Sequence, residues 1–256
     1  MTDVGEWFRT IPIFTRYWFA GTIGMSLLGR FGILPPQYLF LIPELITSKF
    51  QIWRIFTALF YFPLSPQTGF HFMFNCYFLY NYSRRLEEDH FKNTPADYLF
   101  MLILNWACCV LLGIVANFYY LMDPMVLSVL YVWCHLNKEV IVSFWFGTRF
   151  KAVYLPWVLL GFNFVLSSGS AFSIAGILVG HLYVFLKFKY PQELGGHSYL
   201  ETPLLLKRYF PDLRGGVQYG FGVPPVNRQP TQQQAPAGNR MFGGSNWGRG
   251  HVLGRN

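Results

Sequence analysis

The chain has 256 residues, of which 53% are hydrophobic and 20% aromatic, whereas only 12% are charged. Soluble domains carry about 25% charged residues, so this composition excludes an ordinary soluble protein and favours one with a lipid-facing surface. The formal net charge of +8 does not indicate nucleic-acid binding. The basic residues lie mainly in the C-terminal tail and in short runs between apolar stretches, where they typically anchor a membrane protein at its cytoplasmic face.

The N-terminal residues 1–14 predict an amphipathic helix at the membrane surface. Val4, Trp7, Phe8 and Ile11 follow the i, i+3, i+4, i+7 spacing of one helix face. The apolar residues from Tyr17 to Leu34 then predict a first span. A cleaved signal peptide is the alternative, but the charge-balanced helix before the span and the lack of a clear Ala-x-Ala site disfavour it.

Residues 35–66 are apolar but contain several prolines. Prolines and charged residues break this segment into apolar runs that are too short to cross roughly 30 Å of hydrocarbon. We therefore predict a loop that lies in the membrane face or dips into it.

Five further apolar runs predict spans at about 70–82, 96–118, 121–136, 153–166 and 171–188. The charged segment "SRRLEEDHFKNTP" that follows residue 82 predicts a turn on the cytosolic side. Six spans put both termini on one side, and the connections rich in Lys and Arg favour the cytosol for that side. Arg30, Lys49 and Arg54 do not fit this pattern, because they belong to the first loop on the opposite side. The sequence thus predicts an all-α membrane protein with a six-span domain over residues 15–189.

Residues 190–256 are dominated by Pro, Gly and Gln and predict a disordered cytosolic tail, because such a segment buries too little apolar surface to offset its ordering entropy. The four cysteines all lie in apolar runs, and no two of them have Cys-x-x-Cys spacing. They are interpreted as small buried hydrophobic residues, and we predict neither a metal site nor a cofactor.

Polar residues within spans are costly and mark candidate functional positions. The candidates singled out in the predicted spans are His71, Asn75, Asn81, Asn105, Ser128, Asn163 and His181. The alternative for each Asn or Ser is a structural hydrogen bond between helices, and Gly176-x-x-x-Gly180 likewise predicts a close helix contact.

Three motifs in this order resemble the rhomboid superfamily of six-span proteins. They are Trp53-Arg54 in the first loop, His71-x-x-x-Asn75 in the second span and Gly176-x-x-x-Gly180 in the sixth. The resemblance covers the membrane region and implies a rhomboid-like fold.

The protease signature of that superfamily is incomplete here. Ser128 lies in "MVLSVLY" without flanking glycines, and Ser173 occupies the position where active rhomboids have the catalytic histidine. His181 lies eight residues beyond Ser173, roughly 12 Å farther along a helix, so it cannot replace that histidine. We predict no catalytic residues.

A closer resemblance extends over nearly the whole chain. The segments "RYWFA", "FQIWR", "PADYLFML", "IVSFWFGTRFKA", "YLPWVLLGFN" and "LVGHLY" are similar to the Derlin family of rhomboid-like pseudoproteases, most of all to its animal members. This resemblance implies a multi-pass protein of the endoplasmic reticulum membrane, with both termini cytosolic, that helps to move misfolded proteins to the cytosol for degradation. It also implies misfolded substrates, a membrane ubiquitin ligase complex and a homo-oligomer, with a tetramer as the family-based expectation.

The tail carries Trp247, Gly248, Gly250 and Leu253, which resemble the family motif for the valosin-containing AAA+ ATPase. The glycines leave the backbone free to run beside a sheet edge, while Trp247 and Leu253 supply two apolar anchors. A solubilising tail, or an Arg-Gly segment with general affinity for RNA, is the alternative.

We further hypothesise that Asn75, Ser128 and Asn163 line a hydrophilic lateral cleft, and that short spans thin the surrounding bilayer. Three functions remain open from the sequence. They are a retrotranslocation channel or adaptor, an intramembrane serine protease, and a chaperone-like receptor that forms no passage.

Overall fold

A computed structural model describes residues 4–144, 147–166, 172–193 and 200–212. Within these ranges the chain is mostly helical, as the sequence predicted. The α-helices are α1 Val4–Thr10, α2 Ile13–Arg30, α3 Pro43–Lys49, α4 Trp53–Phe60, α5 Gly69–Phe78, α6 Pro95–Ala116, α7 Met122–Leu136, α8 Leu155–Leu166, α9 Phe172–Val184, α10 Tyr190–Glu193 and α11 Leu204–Tyr209.

Shorter elements complete the fold. Residues Pro36–Tyr38 and Ala152–Tyr154 form 3-10 helices, and Phe185–Lys189 forms a π-helical turn that joins α9 to α10. Strands β1 Ile141–Ser143 and β2 Arg149–Lys151 pair antiparallel in a small hairpin.

Two helices in the described ranges are long and apolar enough to cross a membrane, namely Pro95–Ala116 and Phe172–Gln192. Met122–Leu136 and Ala152–Val165 are apolar but shorter. The apolar helices support a membrane protein, whereas the six-span arrangement stays a prediction.

The first loop contains more helix than the sequence predicted. Beside the 3-10 turn it forms α3 and α4, and Pro43 is the first residue of α3. Proline is tolerated at the first position of a helix because that N–H has no intrahelical partner in any case. The prolines therefore begin one of these short helices instead of excluding helix.

The segment after α5, predicted as a charged turn, is also helical. Two π-helical turns, Leu79–Ser83 and Leu86–His90, continue the helix to His90. We name residues 79–90 the α5 extension. The prediction of a turn was wrong because it considered only the charges of "SRRLEEDH", whereas Leu86 is fully buried and Glu87 contacts α2.

Helix α7 lies in the interior, since most of its residues from Met122 to Cys134 are buried. It packs against α9, α6, α8, α5 and α4. Three cysteines, Cys76, Cys109 and Cys134, are buried as predicted, and Cys108 is half-buried. A helix that is apolar on all sides is expected at the centre of such a bundle.

Residues 200–212 contact the helical bundle. Thr202 donates a hydrogen bond to the Asp97 carboxylate at the start of α6, and the rings of Phe14 and Phe210 lie 5.1 Å apart. Packing contacts therefore continue beyond residue 189, and the division of the chain into domains stays a prediction. The tail motif Trp247, Gly248, Gly250 and Leu253 lies outside the described residues.

Candidate functional site

The first candidate polar residue, Asn75, forms a hydrogen bond between α5 and α7. The Asn75 side-chain amide donates a hydrogen bond of 2.6 Å to Oδ1 of Asp123, and both residues are buried. His71, one turn before Asn75, places Nε2 3.9 Å from Oδ2 of Asp123. The His71-x-x-x-Asn75 spacing thus presents two polar side chains to one buried carboxylate.

The second candidate residue, Asn163, forms a hydrogen bond between α8 and α9. The Asn163 amide donates a hydrogen bond of 3.1 Å to the Ser173 hydroxyl, and both side chains are buried. Ser173 occupies the position that the rhomboid resemblance assigns to a catalytic histidine. In this chain that position forms part of a contact between helices.

The third candidate residue, Ser128, bonds within its own helix. Its hydroxyl donates a hydrogen bond of 2.8 Å to the Met125 carbonyl oxygen. Asn75, Ser128 and Asn163 thus have different partners on different elements. Each of these bonds also fits the structural role that the sequence left open, so a common cleft stays a prediction.

His181, the remaining histidine considered as a base, pairs with another residue. Its Nδ1 lies 2.8 Å from the Tyr131 hydroxyl, and its ring meets that of Tyr131 edge to face. A general base must reach the proton of its nucleophile. The Ser128 hydroxyl instead points to a main-chain carbonyl of α7.

The glycine pair places α9 directly against the backbone of α7. A Cβ atom at Gly176 would lie 2.5 Å from the Pro124 carbonyl oxygen, and one at Gly180 would lie 2.8 Å from the Ser128 carbonyl oxygen. Small residues permit this kind of backbone approach between membrane helices. The motif therefore fixes the distance between these two helices.

Trp53-Arg54 organises the first loop. Arg54 is 2% exposed, and its guanidinium donates hydrogen bonds to the carbonyl oxygens of Gln37 and Phe40 and to the Gln51 side chain, at 2.6–2.9 Å. Trp53 is half exposed. The arginine is thus a structural clamp, because it satisfies main-chain acceptors that the interrupted helices leave unpaired.

Sequence reasoning did not assign a role to Asp123. The signal was a single carboxylate in the apolar segment "YYLMDPMVL", where an acidic residue is expected to have a partner. The predicted span of residues 121–136 contains Asp123, but the polar residues singled out within the spans were His, Asn and Ser. The partner, Asn75, lies 48 residues earlier in the chain.

A second polar network was also missed. The Glu87 carboxylate of the α5 extension accepts hydrogen bonds from the N–H groups of Phe14 and Thr15 and from the Thr15 hydroxyl, at 2.7–3.1 Å. The Thr15 hydroxyl also lies 2.8 Å from that of Ser83, which lies 2.6 Å from the Tyr98 hydroxyl. Glu87 thus caps the N-terminus of α2 from another helix.

Burial raises the pKa of the Glu87 carboxyl, although the hydrogen bonds from Thr15 and Phe14 oppose that shift. Removal of solvent disfavours the charged form of a carboxylate, whereas donors that point at it favour that form. Because the desolvation is the larger effect, the folded protein binds this proton more readily than an exposed glutamate does.

Comparison with known proteins extends these observations to the whole chain. A model of the Der1-like family matches residues 11–204. The Derlin-1 proteins of Mus musculus and Homo sapiens are each 54% identical over 254 residues, which cover 99% of both chains. Derlin-1 of Drosophila melanogaster is 50% identical over 254 residues, 99% of this chain and 100% of its own. The resemblance found in the sequence is confirmed, and the chain belongs to the Der1-like family of derlins.

Proposed function

We propose that this chain acts in endoplasmic-reticulum-associated degradation, where it mediates the retrotranslocation of misfolded lumenal and membrane proteins to the cytosol. The observation that carries the proposal is the identity of 50–54% with animal Derlin-1 proteins over almost the full length, tail included. The proposed location is the endoplasmic reticulum membrane, with both termini in the cytosol.

The arrangement of the bundle supports a non-proteolytic role. Ser128, Ser173 and His181 form hydrogen bonds to Met125, Asn163 and Tyr131, respectively. A serine nucleophile needs a base within hydrogen-bond reach. The alternative of an intramembrane serine protease would require these three bonds to rearrange together.

Short helices and buried polar contacts suggest how such a bundle helps a polypeptide to cross. Helix α7 has 15 residues, and at about 1.5 Å per residue it spans roughly 22 Å, less than the roughly 30 Å of a typical hydrocarbon core. A short span is accommodated by local thinning of the bilayer. Asn75 and Asn163, buried at the α5–α7 and α8–α9 contacts, would present polar groups to a chain that separates those helices.

In this proposal the tail recruits the ATPase that pulls the substrate out of the membrane. Trp247 and Leu253 anchor the valosin-containing AAA+ ATPase, and Gly248 and Gly250 allow the peptide to lie extended on it. A membrane ubiquitin ligase complex marks the substrate, and the chain works as a homo-oligomer. A receptor that binds substrate without forming a passage is the second candidate, because the same polar positions would serve it.

Peptides of residues 243–256 test ATPase recruitment. We expect the unmodified peptide to bind the purified ATPase, and Trp247→Ala to weaken binding by about 2 kcal/mol, roughly thirtyfold, since interface anchors typically cost this much when truncated. Arg249→Ala is the matched control and should change affinity little. Isothermal titration calorimetry gives both values.

The same changes in the full chain test the cellular role. In cells that lack the endogenous derlins, the wild-type chain should restore degradation of a misfolded lumenal protein, and Trp247→Ala should not. Binding that followed the arginine content of the peptide instead of Trp247 would overturn ATPase recruitment. Failure of the wild-type chain to restore degradation would overturn the proposed function.

A further inference from the structure

The β1–β2 hairpin presents a basic outer face. Ser143 pairs with Arg149 and Ile141 with Lys151 in the antiparallel register. Since directly paired residues project to the same side of a sheet, these four side chains share one face. All four are exposed, whereas Val142 points into the core.

One cation of this face lacks an acidic partner. Lys151 donates a hydrogen bond of 2.7 Å to Glu139. Among the ion pairs of the described residues, none involves the Arg149 guanidinium. The face therefore keeps one uncompensated positive charge, in a cavity of about 520 Å³ that Ser143 also lines.

An aromatic groove adjoins this basic cavity. It has a volume of about 400 Å³ and lies between α5 with its extension and the hairpin. The lining residues are Met73, Phe74, Tyr77, Phe78, Tyr82, Ser143 and Phe144. Ser143 lines both cavities, and Met73 and Tyr77 are 57% and 59% exposed on the outer side of α5.

The length of the aromatic groove matches one leaflet of a bilayer. From Met73 to Tyr82 the helix rises about 13 Å, close to the roughly 15 Å that half of the hydrocarbon core measures. A cation and a hydroxyl beside an apolar groove match an amphiphile with an anionic head and a straight apolar chain. Arg binds phosphate oxygens with two parallel hydrogen bonds, and a serine hydroxyl can add a third.

We propose that this composite site, named here the hairpin groove, binds one anionic phospholipid. The phosphate lies at Arg149 and Ser143, and one acyl chain follows α5 between Met73 and Tyr82. Basic pockets beside membrane helices are suited to anionic head groups. Bound there, the lipid covers the exposed aromatic face of α5 and holds the hairpin against it.

Photoaffinity labelling of the purified full chain in neutral detergent tests the site. The probe is phosphatidylserine with a diazirine in one acyl chain, and we expect labelling of the peptide that contains Met73 and Tyr77. Unlabelled phosphatidylserine should compete about tenfold better than phosphatidylcholine of the same chains, because the choline cation lies unfavourably beside the uncompensated Arg149 guanidinium. Glycerophosphoserine, which has no acyl chains, should not compete and so distinguishes a lipid from a free phosphate ester.

A pair of charge-matched variants completes the test. Arg149→Gln should reduce the preference for phosphatidylserine about tenfold, as expected for a lost charge-assisted contact. Arg208→Gln removes an exposed charge from α11 and should leave the preference unchanged. Three results would each overturn the proposal. They are equal competition by both lipids, labelling confined to residues that do not line the groove, and displacement of the probe by an apolar peptide without any effect of Arg149→Gln.

Discussion

The contact between α7 and α9 differs in kind from the contact between α2 and the α5 extension. At the first, two glycines bring one backbone against another, and Gly176 lies directly on Pro124. At the second, side chains make the contact, and Glu87 accepts three hydrogen bonds from Phe14 and Thr15. Lipid supplies no hydrophobic force between helices, so close packing and hydrogen bonds are the two means available.

The two contacts also differ in what they tolerate. A backbone contact has no side chain that can rotate away, so it resists any added atom. A hydrogen-bonded contact tolerates changes of shape but is sensitive to proton binding and to loss of a partner. We therefore expect α7 and α9 to stay together while other contacts in the bundle open.

The largest effect is expected from Gly176→Ala. The new Cβ would lie 2.5 Å from the Pro124 carbonyl oxygen and 2.9 Å from its Cα, so α9 must shift away from α7. Overpacking of this kind costs about 2–3 kcal/mol. Unfolding of the purified protein in detergent, followed by circular dichroism, measures the loss.

Gly161→Ala is the matched control for that variant. A Cβ at Gly161 in α8 meets no atom of the structure within 4 Å, so the change should be neutral or should stabilise the helix by up to about 1 kcal/mol. Equal stabilities of the two alanine variants would show that the glycine contact does not hold α7 to α9.

An intermediate effect is expected from Glu87→Gln, which keeps the shape but loses one acceptor oxygen at the α2 N-terminus. We expect a destabilisation of about 1–2 kcal/mol at neutral pH. Glu88→Gln, which breaks only the i,i+4 pair between Glu88 and Arg84, should cost at most about 0.5 kcal/mol. Comparable losses in both variants would contradict the buried capping role of Glu87.

Glu87 also predicts a pH dependence. Burial raises the pKa of this carboxyl above the value of an exposed glutamate. The folded state therefore binds the proton more tightly, so this contribution to stability is complete below the ordinary glutamate pKa and is lost as the pH rises through the raised one. Glu87→Gln should remove that part of the pH profile, which unfolding at several pH values between 4 and 8 would reveal.

The smallest effect on stability is expected from Asn105→Leu. Asn105 in α6 is fully buried, and neither side-chain polar atom has a hydrogen-bond partner among the described residues. Replacement of an unsatisfied amide by an apolar group of similar shape should be neutral or stabilising by about 1 kcal/mol. If the variant were stable but degraded a misfolded substrate more slowly in cells, Asn105 would have a role in transport. A clear loss of stability would show that the Asn105 amide makes hydrogen bonds in the folded protein.

The sequence predicted the helices best where the apolar runs were long. Residues 96–118 and 121–136 became α6 and α7 with ends close to those expected. Residues 35–66, where prolines interrupt the pattern, were predicted as a loop and instead contain α3 and α4. There Arg54 of α4 connects distant parts of the loop, because its guanidinium reaches carbonyl oxygens 14 and 17 residues earlier in the chain.

Of the candidate site residues, the glycine pair was the most predictable. Its spacing indicated a close helix contact but could not name Pro124 and Ser128 as the atoms opposite. Asn75 and Asn163 were predicted to be functional or structural, and their partners Asp123 and Ser173 became known only from the fold. A polar residue in an apolar run indicates that a partner exists without indicating where.

The sequence by itself determined that this is a membrane protein. Composition and the length of apolar runs are local properties, and the thickness of the hydrocarbon core sets the length that a span requires. It also determined the family, because long segments with little degeneracy carry that information. Only the tertiary structure decided which helices touch, that Glu87 caps α2, and that the hairpin lies beside an aromatic face of α5. Those contacts join residues far apart in the chain, and their energies depend on distances and burial that no local pattern records.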